Sequence, residues 1–154
     1  MKNLLVTLLL PGFILLSGTV FSQDFDGFPE ATLSTQETFR DVAYNFVQYP
    51  EIARKAGQVG LVKVKYSVKP SGQITNVQAE FFSVDTEIDD SIDQIVVIGQ
   101  RQAEIDESLT DRAILTLQAE SLMVLHRIRQ LQPRTVDGQK VLTSREVVFK
   151  FILE

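Results

Sequence analysis

Between residues 59 and 69 the chain alternates. Val62, Val64, Tyr66 and Val68 fall on one face, and Leu61, Lys63, Lys65, Ser67 and Lys69 on the other. A period of two sustained this long is that of a strand with one face in a core and one in water. A helix would scatter the same residues around its circumference. Such a strand needs a neighbour and a cover. Pro70-Ser71-Gly72 turns the chain, and a return strand with Val77, Ala79 and Phe81 on one face follows closely enough for an antiparallel hairpin.

Helical spacing flanks this hairpin. Ser34 and Glu37 have capping-box spacing, and Phe39, Val42, Ala43 and Phe46 share one face of a helix over 35–47. Tyr49-Pro50 ends it, because the residue before proline avoids the helical region. Pro50 can open a short helix over 51–56, with Gly57 as its stop. Ile114, Leu117, Ser121, Leu125 and Ile128 make one stripe of a helix over 111–130, which Leu131, Pro133 and Asp137-Gly138 end. The last strand, 142–153, sets Val147, Phe149, Phe151 and Leu153 against Val148, Lys150 and Ile152. This order predicts an α+β fold of two layers, a three-stranded antiparallel sheet with helices on one face, α-β-β-α-β in its core.

Composition narrows the chemistry. The 154 residues include 15 basic and 20 acidic side chains, one His and no Cys. Disulfides, thiolate metal sites and cysteine nucleophiles are excluded. An acidic balance argues against nucleic acid, whose phosphates require a Lys/Arg excess. His126 falls on the flank of the helix stripe, near Leu115 and Leu122, and reads as structural, since a base also needs a nucleophile and an orienting group around it. Asp85-x-Glu87-x-Asp89 hints at calcium, but the sixth and twelfth places of an EF-hand loop hold Asp90 and Val96 rather than Gly and Glu. No enzyme, metal, cofactor or small-molecule substrate is expected.

Residues 4–16 are an apolar run after Lys2, broken by Pro11-Gly12 and shorter than the roughly 20 residues of a membrane span. With Val20-Phe21-Ser22 they predict a signal peptide, 1–22, cleaved after Ser22. An uncleaved inner-membrane anchor is the alternative. Residues 23–48 read as a lead segment and helix, and 49–154 as the domain. Within it, 84–111 holds nine acidic residues and one basic, Arg101, around the β-prone run Ile95-Val96-Val97-Ile98. A small open sheet leaves an edge unpaired, and an exposed edge is covered, aggregates or receives another strand.

Tyr49-Pro50-Glu51-Ile52-Ala53-Arg54, then Gly57, Gly60, Val62-Lys63-Val64-Lys65-Tyr66-Ser67-Val68, Gly72 and Ile74, resembles the C-terminal domain of the TonB family. Leu117 to Leu122, the turn with Pro133 and Asp137-Gly138, and the closing 147–153 look like its helix, proline turn and final strand. The lead helix ending in Tyr49-Pro50 looks like the version common in Bacteroidetes-type bacteria. The resemblance covers about 49–83 and 117–153. It implies a periplasmic domain whose final strand pairs with the TonB box, a short segment of outer-membrane transporters. The receiving edge would then be Arg145, Val147, Val148, Phe149, Lys150, Phe151 and Ile152. The family motif falls on Tyr49, Pro50, Ala53, Arg54, Gly60, Gly72, Pro133 and Gly138.

The chain departs from the family in several places. The apolar run has no His to dock on the ExbB–ExbD motor, a Pro-rich spacer is missing, and Leu131 stands where an aromatic residue is usual before the proline. Binding without energy coupling is the expectation. The acidic insertion is a further departure. Its stretch 92–99 resembles the TonB box of SusC-like transporters, which makes Gln94, Ile95, Val96, Val97 and Ile98 a candidate internal ligand for residues 147–152. In cis it would block the site and in trans it would link copies, so a SusC-like transporter and a homodimer are the expected partners. The alternative is a self-associating structural or regulatory domain in which 94–98 occupies the edge strand, without energy transduction.

Overall fold

The computed structural model describes Ala31–Thr32 and residues 39–154. The expected leader and the Ser34/Glu37 pair lie outside the described residues. In chain order the elements are β1 (Ala31–Thr32), α1 (Phe39–Phe46), α2 (Glu51–Lys55), β2 (Gly60–Val68), β3 (Ile74–Phe82), β4 (Asp93–Gly99), a 3-10 turn (Glu107–Leu109), α3 (Thr110–Arg127), β5 (Ile128–Gln130), β6 (Arg134–Val136), β7 (Gln139–Val141) and β8 (Thr143–Leu153).

The principal sheet has four strands, not three, in the order β3-β2-β8-β4. β2 pairs antiparallel with both β3 and β8, whereas β4 runs parallel to β8, so the sheet is mixed. A parallel neighbour needs a crossover, and the return from β4 to β8 supplies one through α3. Two small ladders lie outside this sheet, β1 with β5 and the hairpin β6–β7.

The alternation in β2 becomes one wall of the core. Val62, Val64, Tyr66 and Val68 are buried there, beside Val147, Phe149 and Phe151 of β8 and Ile95 and Val97 of β4. Val42, Ala43, Ala53, Leu117 and Val124 of the three helices close the layer. Small residues at 43 and 53 allow close packing, of α1 against β4 and α3 and of α2 against α3. Ser121, buried on α3, donates its hydroxyl to the Leu117 carbonyl at 2.9 Å, so its burial leaves no donor unmet.

Several local expectations are corrected. The third helix stops at Arg127, and Ile128 enters β5, because the segment finds tertiary partners: β1 pairs with it, Gln130 bridges Gln73, and the Leu131 N–H donates to the Gly72 carbonyl. The buried stripe is Ala113, Leu117, Ser121, Val124 and Leu125, with Ile114 only half-buried. Val77 is exposed, out of line with Ala79 and Phe81. The β2–β3 register slips between Lys65 and Ser67, and Asn76 adopts a positive φ of 53°, the mark of a bulge that re-aims its neighbours. Leu61 and Val148, assigned to the water face, are buried at 3% and 0% exposure, both on the two central strands of the sheet.

Candidate functional site

The C-terminal strand is not an edge. Val147, Val148, Phe149, Lys150, Phe151 and Ile152 lie between β2 and β4, and this corrects their placement on an open border. Only the first part of β8, with Arg145, lacks a strand on the β4 side among the described residues. Arg145 is tied elsewhere: its Nη2 donates to the Gln132 carbonyl at 2.9 Å, and its charge lies near Tyr66.

The neighbour along 147–153 is the acidic insertion's own strand. Asp93 falls opposite Val147, Gln94 opposite Val148, Ile95 opposite Phe149, Val96 opposite Lys150, Val97 opposite Phe151, Ile98 opposite Ile152 and Gly99 opposite Leu153. The ladder continues past the strand end, with Glu154 donating to the Gly99 carbonyl and Arg101 donating to the Glu154 carbonyl. Ile95 and Val97 seat β4 in the core, while Val96 and Ile98 look into water at 36% and 57% exposure.

The motif at 49–54 buttresses this arrangement. The Tyr49 ring stands edge-on to Phe151, centroids 5.5 Å apart, and its hydroxyl donates to the Gln58 carbonyl. Burial pushes the Tyr49 phenol up to about 12, with Arg101 pulling the other way, so it stays a donor at ordinary pH. Gly99 is where β4 passes the ring: a Cβ there would lie 2.6 Å from Tyr49 Cδ2. Pro50, extended at ψ 138°, precedes α2, and Ala53 is fully buried beneath it. Arg54 places a buried Nε in the same region with no hydrogen-bond partner.

Of the remaining motif residues, Gly60 pairs with Phe151 at the edge of this cluster, and Gly72, Pro133 and Gly138 fall in or beside turns. Gly60 leaves room for Phe81, and Gly72 links the β2–β3 turn to Leu131. Asp137 and Gly138, at φ 50° and 78°, form the two-residue turn of the β6–β7 hairpin, a conformation that Asp-Gly favours. Pro133 stands just before that hairpin and is half-buried. His126 is exposed near the end of α3. Among the described residues no three His, Asp or Glu side chains converge as a metal would require, and no helix is long and apolar enough to cross a membrane.

Tyr44 was not among the residues singled out from sequence. It sits off the apolar stripe of α1, half-exposed, and its hydroxyl accepts the Val96 N–H at 3.3 Å. An aromatic residue on the wet flank of an amphipathic helix was the available signal. Residues 46–91 match the model of a family described as Gram-negative bacterial TonB protein C-terminal. The matched stretch runs from the end of α1 through β3 and stops just short of β4. No curated protein and no solved structure matches the chain.

Proposed function

With residues 46–91 belonging to the TonB C-terminal domain family, we propose that this chain is a periplasmic, non-catalytic binding module of TonB-dependent transport whose strand-accepting site is held shut by β4. The family serves TonB-dependent transport in the cell envelope. Its final strand pairs with an extended segment of an outer-membrane transporter, and β8 is that strand here. The observation that carries the reading is the seven-residue, in-register ladder of β4 on β8, formed by a stretch that itself resembles the box of a SusC-like transporter. A transporter segment of that kind engages β8 by replacing β4, exchanging one set of main-chain bonds for another. What opposes the exchange is lifting Ile95 and Val97 out of the core. Connections of ten and seven residues, 83–92 and 100–106, separate β4 from β3 and from the 3-10 turn before α3, and its departure also breaks the bond of Arg101 to Glu154.

A reversible lock tests this. The chain has no native cysteine, so Ile98→Cys with Ile152→Cys, ladder neighbours on the water face, forms a bond that a reductant opens. Calorimetry against a synthetic peptide carrying an acidic, Val-rich TonB box reads the result. Binding to the reduced form, weakened at least about tenfold on oxidation, is expected. Equal affinity in both states overturns the gate, and no binding in either discards this class of partner.

A further inference from the structure

A groove of about 500 Å³ runs between α1, α2 and the last residues of β4. Tyr44, Gln48, Tyr49, Arg54, Ile98 and Gln100 line it, and among the described residues no acidic side chain does. In a chain of 20 acidic and 15 basic residues this is a local reversal of sign. Glu120 touches a lining residue, but its carboxylate is occupied by the Gln48 N–H at 2.9 Å. Arg101 acts on the Tyr49 phenol from close by and adds to the positive field.

Arg54 is the one charge in the wall. Its Nε is buried without a partner, and among the described residues no hydrogen bond or ion pair holds its terminal nitrogens. Glu51, three positions before it, is taken by Lys55 at 2.6 Å. An unmet buried donor costs free energy, so a guanidinium fixed in this way is placed for an acceptor from outside the chain. Main-chain donors face the same space. Gly99 and Arg101 exchange bonds with Glu154, so residues of the other parity turn away from β8. The Val96 N–H goes to the Tyr44 hydroxyl, whereas those of Ile98 and Gln100 open on the groove, where no strand pairs with β4 among the described residues.

We propose that this groove is a binding site for a small monocarboxylate with an apolar body. The planar fork of Arg54 matches the two oxygens of a carboxylate, and a single lining cation matches a single negative charge. The Tyr44 and Tyr49 rings and Val47 offer apolar surface to the body, with the Gln48 and Gln100 amides as further donors. The volume is that of pockets that hold small molecules. No acid, His, Ser or Thr lines the groove among the described residues, so the ligand is held and not turned over. One wall is β4, so an occupied groove fastens that strand to α1 and α2. The site stands whether or not a transporter segment displaces β4.

Calorimetry of the full chain tests the proposal, with the N-acetyl derivatives of leucine and phenylalanine as probes. Their uncharged carboxamides and inorganic phosphate are the comparisons. The acids should bind at least about tenfold more tightly than either comparison. Arg54→Gln should weaken the acids about tenfold or more, and Arg54→Lys, which keeps the charge without the fork, should restore part of the loss. Gln100→Glu, at an exposed position, sets a like charge in the groove and should weaken them similarly with the thermal midpoint unmoved. In amide exchange, the acids should slow Ile98 and Gln100 and leave β3 unchanged. No binding of either acid, binding indifferent to the changes at 54 and 100, or binding that leaves Ile98 and Gln100 unprotected overturns the site. Carboxamides or phosphate binding as tightly as the acids overturns the assignment of a carboxylate.

Discussion

Ile95→Ala separates the gate from ordinary stability. Ile95 is fully buried where β4 crosses the core. Truncating a buried isoleucine to alanine costs about 2–5 kcal/mol, the spread reflecting how far the site collapses. Under the gating scheme β4 leaves while the rest of the sheet stays folded, so the whole cost falls on the attached state. At about 3 kcal/mol the attachment constant drops by about two orders of magnitude. Affinity for a TonB-box peptide should rise by up to that factor, levelling off once the detached state dominates. Leu117→Ala is the matched control. Leu117 is just as buried, on a helix that packs against α2, β2 and β3, and its loss weakens attached and detached states alike. Calorimetry with a thermal melt on each variant reads both quantities. Two variants with similar loss of midpoint and the same peptide affinity would refute the reasoning.

Two further outcomes follow from the motif beside β4. Gly99→Val drives a side chain into Tyr49 at 2.6 Å and Leu153 at 3.0 Å, which should cost about 1–3 kcal/mol and speed amide exchange in β4 before the rest of the sheet; uniform acceleration would contradict it. Stability should also fall at high pH: the folded state holds the Tyr49 proton up to about 12 against roughly 10 unfolded, so the contribution is intact below pH 10 and is lost as pH rises from there towards 12. Burial shifts Tyr66 in the same direction. Tyr49→Phe should flatten this slope in denaturant melts, and an unchanged slope would remove Tyr49 as its source.

What was legible in the sequence was local. The alternation marks β2, Pro50 marks the start of α2, and Asp137-Gly138 marks a two-residue hairpin turn, each because backbone stereochemistry or periodicity leaves few other choices. The run at 95–98 was legible as β-prone. Its direction beside β8 was not, since parallel pairing is decided by the crossover through α3, far away in sequence. The burial of Leu61 and Val148 was hidden as well: alternation reports which face a residue is on, not what covers that face. Arg54 was visible only through a family likeness. That its Nε lacks a partner is a property of the packed chain.

The irregularity at Asn76 in β3 reaches beyond the strand that contains it. A sheet with two flat borders can add copies head to tail indefinitely, each new border offering the next, which is the geometry of a filament. Here one border is kinked and the other is flat. A single residue in a left-handed conformation thus denies the sheet one of the two flat borders that open-ended stacking would need.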